Sequence, residues 1–154
     1  MQKTIAGLFL SRLDAEYAIR AVRADGFDVK DVSILEKSSS TYDYNHVNEA
    51  YSDDGAMSTA LYDGGAAILS GIGSGEVQGL GQASARGPVA DEVNSHLGFA
   101  ELIEKMGIPK DAARQYLNEL NGGKTLWTIK VNDHEIPKLS DSLRTRGAVI
   151  VNVH

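Results

Sequence analysis

Cysteine is absent from this chain. Without it there is no disulfide, no thiol nucleophile, no iron–sulfur ligation and no cysteine-based zinc site. The fold must rest on its core alone, which 154 residues with 42% hydrophobic content are enough to build. The absence suits a reducing compartment, and a cytoplasmic location is the expectation. Long apolar runs are missing too. None approaches the ~20 residues needed to span a bilayer, and residues 1–15 lack a secretory-signal pattern. Basic residues are the third shortage. Lys and Arg number 15 against 21 Asp and Glu, a net charge of −6. Such a chain repels phosphate backbones unless its cations are gathered on one face, so nucleic acid is not an expected partner.

What is present is unevenly spread. Residues 37–66 carry Lys37 against Asp43, Glu49, Asp53, Asp54 and Asp63, whereas the two ends are nearly neutral. Half of the 16 glycines fall between Gly64 and Gly87. Acidic, glycine-rich sequence of weak periodicity between two patterned ends reads as an insertion.

The patterned ends are alike. Thr4–Leu10 reads as a buried strand, and Ser11 offers a helix N-cap with Asp14 in the place of the capping-box acid. Ala15, Ala18, Ile19 and Val22 follow at helical spacing, and Gly26 stands where a helix ends in left-handed geometry. A second strand runs from Val32 to Leu35. At the other end, Thr125–Val131 alternates as a strand, Asn132 or Asp133 caps a helix carrying Ile136, Leu139 and Leu143, and Gly147 closes it. Pro137 is tolerable only in a first turn, which sets the helix start near Glu135. Val149, Val151 and Val153 form the last strand. An offset of 121 superposes Thr4 on Thr125, Gly26 on Gly147, and Ala15, Ala18 and Val22 on Ile136, Leu139 and Leu143. Two β-α-β units in one register imply an α+β fold: a ferredoxin-like β-α-β…β-α-β antiparallel sheet with both helices on one face.

Between the units, Phe99, Leu102, Ile103 and Met106 repeat at helical spacing, as do Ala113, Tyr116, Leu117 and Leu120. Gly107-Ile108-Pro109 separates them as a stop and restart. The outline is that of a helix-turn-helix with Lys110 and Arg114 on its second helix. Asp111 and Glu119 beside them favour an αα-hairpin packed on the domain.

No catalytic constellation stands out. Gly71-Ile72-Gly73-Ser74-Gly75 has Glu76 where a dinucleotide loop needs its third glycine, so a flexible or hairpin loop is expected there. His96, His134 and His154 are isolated, no serine has a nucleophile-elbow context, and Trp127 and Phe9 read as core. Tyr42, Tyr44, Tyr51 and Tyr62 gather with His46 and several acids. That mixture matches no calcium-loop spacing and reads as a contact surface, because tyrosine brings large area at small entropic cost. No catalytic residue, metal ligand or cofactor is assigned.

Ser11-Arg12-Leu13-Asp14-Ala15-Glu16, Gly26-Phe27 and Asp31-Val32-Ser33-Ile34-Leu35 resemble the start of the general stress protein 17M-like family, the heat-induced stress protein YflT domain. Gly87-Pro88-Val89-Ala90, Met106-Gly107-Ile108-Pro109, Ala112-Ala113-Arg114-Gln115-Tyr116, Gly122-Gly123-Lys124-Thr125-Leu126 and Arg146-Gly147-Ala148 follow in the order of that family's landmarks. The tyrosine–acid stretch departs from it, and the Gly/Ala-rich apolar middle is short here, Ala66–Ile72. The resemblance implies a role under stress and brings no catalytic residue.

The expectation is one domain over 1–154, with a core of 3–36 and 124–154. An insertion at 37–123 holds a Gly/Tyr-rich part at 38–90 and a helical pair at 96–121. The expected function is non-enzymatic: a stress-associated protein acting through self-association or a protein partner, with a homo-oligomer built on unpaired sheet edges. The alternative is a ligand- or metal-sensing regulatory module of ferredoxin-like type.

Overall fold

The computed structural model describes residues 2–38, 72–93 and 97–154. Strand β1 (Gln2–Phe9) is followed by helix α1 (Arg12–Ala24) and β2 (Ser33–Lys37). Next come the hairpin strands β3 (Ile72–Val77) and β4 (Gly81–Arg86) and a helical stretch of α2 (Ala90–Val93), α3 (Phe99–Lys105) and α4 (Ala113–Asn121). The chain closes with β5 (Thr125–Asn132), α5 (Ile136–Thr145) and β6 (Ile150–Val153). Short 3-10 turns at Lys110–Ala112 and Asp133–Glu135 lead into α4 and α5. The six strands form one sheet in the order β3-β4-β2-β5-β1-β6, and all neighbours run antiparallel. The protein is therefore α+β, with a six-stranded antiparallel sheet and five helices among the described residues.

The two ends fold alike, down to their hydrogen bonds. The Asp14 N–H donates to Ser11 Oγ at the start of α1. At the corresponding positions Asn132 and Glu135 complete a capping box, and Pro137 falls within the first turn of α5. At the far ends Phe27 N–H donates to Val22 O at 3.2 Å, and Ala148 N–H to Leu143 O at 3.0 Å. These are matching Schellman closures, each made possible by a left-handed glycine, Gly26 at φ +95° and Gly147 at φ +107°.

Both faces of the sheet are covered. Ile5, Phe9, Ile34, Trp127 and Ile129 pack with Ala18, Ile19 and Val22 of α1 and Leu139 and Leu143 of α5. The opposite face, with Ala6, Leu8, Leu35, Ala85 and Leu126, meets Phe99, Leu102 and Ile103 of α3 and Tyr116 and Leu120 of α4. Cover on both sides explains why β1 is buried continuously from Thr4 to Phe9 instead of alternating. The helical pair accordingly packs on the sheet through the stripe its spacing announces. Lys110 lies 3.8 Å from Glu104.

From Ile72 onward the glycine tract is strand, not the loop its composition suggests. Its partner is β4, with Gly73 opposite Ala85, Ser74 opposite Ser84 and Gly75 opposite Ala83. The physical reason is close backbone approach: a Cβ on Gly73 would collide with the Ala90 carbonyl oxygen at the start of α2. The hairpin turns at Gly79, and β4 then pairs with β2. This part of the insertion thus extends the central sheet.

Candidate functional site

β6 is an outer strand, paired with β1 on one side. Thr4 and His154 exchange both backbone hydrogen bonds, at 2.8 and 2.7 Å. By the alternation of an antiparallel ladder, Val153 and Val151 then turn their own N–H and C=O groups away from β1. Such an edge is commonly blunted by charge, proline or a bulge. From Ala148 to Val153 this one carries neither charge nor proline. Val153 on this edge is 45% exposed, and Val149, just before the strand with its N–H bonded to Leu8 O at 2.8 Å, is 48% exposed. The other outer strand, β3, differs: it carries Glu76 and two glycines.

On the α4 side of β6 a polar network stands beside the apolar packing of Ile150. Tyr116 is fully buried, and its hydroxyl lies 2.7 Å from His154 Nε2. Asn152 Nδ2 donates to the same hydroxyl at 3.1 Å. The phenol oxygen accepts from Asn152 Nδ2; toward His154 it donates to Nε2 in the Nδ1–H tautomer and accepts from it in the Nε2–H tautomer. Burial pushes the Tyr116 phenol above its ordinary pKa, against the lowering effect of the Asn152 hydrogen bond. Burial likewise lowers that of His154, with Asp111 opposing. Both shifts favour the neutral forms of the two side chains.

A second cluster sits where α1 meets β2 and β4. Glu16 is 1% exposed and lies 3.1 Å from Arg86, itself nearly buried. The approach is off the hydrogen-bonding direction, leaving both Glu16 oxygens without a hydrogen-bond partner. Arg12 lies 3.6 Å from Glu36, whose carboxylate also accepts from Thr125 Oγ1. Burial raises the Glu36 pKa; Arg12, Thr125 and Arg86 act to lower it, and Glu16 adds to the rise. Two acids against two bases make this a structural charge knot joining the hairpin to α1.

Two open depressions of about 70 and 240 Å³ share Asp31, Ile129 and Lys130 at one end of the sheet, and neither is lined by histidine. Among the described residues no group of three or more His, Asp or Glu is placed to hold a metal ion. No helix among them is long and apolar enough to cross a membrane.

The contact surface expected at Tyr42, Tyr44, His46, Tyr51 and Tyr62 lies outside the described residues, as does His96. His134 is exposed in the 3-10 turn before α5, and Phe9 and Trp127 are fully buried core. The indole N–H of Trp127 has no hydrogen-bond partner. Tyr116 is legible from sequence as a core position of α4 and His154 as a lone histidine; their contact is not. Its one local signal is the alternation of Ile150, Asn152 and His154, which puts the three on one face of the strand.

Comparison with protein-family models, with curated proteins and with solved structures finds no match to this chain.

Proposed function

We propose that this protein is a non-enzymatic association module that assembles with a second copy of itself through the free edge of β6. The carrying observation is the combination, along that strand, of outward backbone groups at Val151 and Val153, the half-exposed Val153 side chain and the absence of charge. Antiparallel pairing of a strand with its own copy is isologous and closes about a twofold axis. A charged strand would set like charges against each other in such a pair, and a neutral one does not. Each six-stranded sheet would continue into the other. β6 has only four residues, so the valine side chains must contribute alongside the backbone bonds.

On this reading the β2-β5-β1-β6 part of the sheet, with its two β-α-β crossovers, is a ferredoxin-like core extended by the β3–β4 hairpin. A stress-associated, cytoplasmic role is part of this reading, and its support is the ordered resemblance of Gly87-Pro88-Val89-Ala90, Met106-Gly107-Ile108-Pro109 and the other landmarks to the general stress protein 17M-like family. The test is native mass spectrometry with sedimentation velocity over a dilution series, on the wild type and on Val149→Lys and Val153→Lys. Both positions are already half exposed, so the folded monomer tolerates lysine. The wild type is expected at a multiple of 16.5 kDa and the lysine variants at 16.5 kDa with unchanged circular dichroism. A wild type that stays monomeric, or variants that keep the assembly, overturns the proposal. Extra mass retained per subunit would instead favour the ligand-sensing alternative.

A further inference from the structure

We infer that the Tyr116–His154–Asn152 network is a proton-controlled clasp that holds β6 in place and so makes the association edge depend on pH. The inference rests on the association reading for its consequence, but the clasp stands on its own geometry.

We take the Nδ1–H tautomer, in which the neutral imidazole accepts at Nε2 and the proton of the buried Tyr116 phenol has a partner. A proton added to Nε2 removes the acceptor. The nitrogen then presents N–H to an oxygen already holding the Asn152 N–H, and the buried phenol proton loses its partner. His154 is also the residue whose backbone closes the ladder with Thr4, so strain at its side chain falls on the end of a four-residue strand. Around the ring, α4 contributes Tyr116, β1 the Thr4 backbone, and the Lys110–Ala112 turn the Asp111 carboxylate, the charge that favours protonation. Burial works against that charge and prevails, keeping the ring neutral under ordinary conditions.

The sign follows. A histidine whose folded pKa lies below its unfolded value stabilises the fold above the unfolded value. That contribution is lost as pH falls through the folded pKa. β6 is therefore docked at neutral pH and released in acid, and the assembly comes apart with it.

The test is a ¹⁵N NMR titration of the imidazole alongside amide exchange at Asn152 and Val153. The expected result is an Nδ1–H tautomer titrating below the ordinary imidazole value, with β6 protection falling over the same range. Tyr116→Phe should move the titration upward. His154→Gln, which keeps an acceptor but cannot titrate there, should hold β6 and the assembly together in acid. An Nε2–H tautomer, a titration at or above the ordinary value, or β6 protection unchanged across it overturns the clasp. If the clasp titrates as described while the mass of the assembly is constant, the association reading fails instead.

Discussion

Removing the Arg86 guanidinium tests how the β3–β4 hairpin is joined to the rest of the protein. Arg86 stands opposite Ile34 in the sheet and reaches Glu16 of α1 at 3.1 Å. Arg86→Met keeps much of the stem's volume and deletes the charge, leaving a carboxylate that is 1% exposed and has no hydrogen bond to replace it. Breaking a buried pair from one side costs about 3–5 kcal/mol, because the surviving charge is left desolvated and alone. In a domain of this length each kcal/mol lowers the melting temperature by about 2–4 °C, so the variant should melt roughly 6–20 °C lower. Adding Glu16→Leu should restore most of the loss, since a well-packed apolar pair does as well as a buried ion pair. The assay is urea unfolding of both single variants and the double variant at one fixed protein concentration, read as a double-mutant cycle. If Arg86→Met costs less than about 1 kcal/mol, or if the double variant is as unstable as the sum of the singles, the pair does not bind hairpin to helix.

Two further outcomes follow from the same structure. Gly73→Ala sets a methyl group against the Ala90 carbonyl and should destabilise by about 1–3 kcal/mol, with faster amide exchange along β3; unchanged exchange there would refute the close approach. Glu36 has a folded pKa above its unfolded value, so its contribution is favourable in acid and is lost as pH rises through the folded pKa. Glu36→Gln should therefore be more stable relative to wild type at neutral pH than in acid, and a difference that does not change with pH refutes the desolvation argument.

The fold was legible where local chemistry decides it. Ser11, Gly26, Asn132 and Gly147 are capping residues whose roles depend on a few neighbouring backbone groups, and the structure puts each at the helix end expected of it. The stripe Phe99, Leu102, Ile103 and Met106 is likewise local, since a 3.6-residue period specifies a buried face without naming its partner. The glycine tract was illegible for the opposite reason. Gly73 is in a strand because another segment's backbone presses on it, and nothing in Ile72–Val77 itself encodes Ala90 as that neighbour. Glu16 was hidden in the same way. On a helix wheel it is one more polar residue beside the apolar stripe, and its burial depends on a strand 70 positions further along the chain.

The candidate site divides along the same line. The openness of β6 can be read from Val149 to Val153, because an edge is recognised by what it lacks, and absent charge and proline are visible in the sequence. The clasp cannot be read, because Tyr116 and His154 are 38 positions apart and meet only through the sheet order. β6 crosses back to lie beside β1, not beside β5, the strand that precedes it in the chain. That placement sets one face of β6 over α4, and the two-residue period of the strand then turns Asn152 and His154 toward the Tyr116 hydroxyl. The two faces and the edge of so short a strand cannot act independently. With the backbone groups of Val151 and Val153 turned outward and the side chains of Asn152 and His154 turned to α4, a proton taken up at His154 acts on the same backbone that a second copy would have to pair.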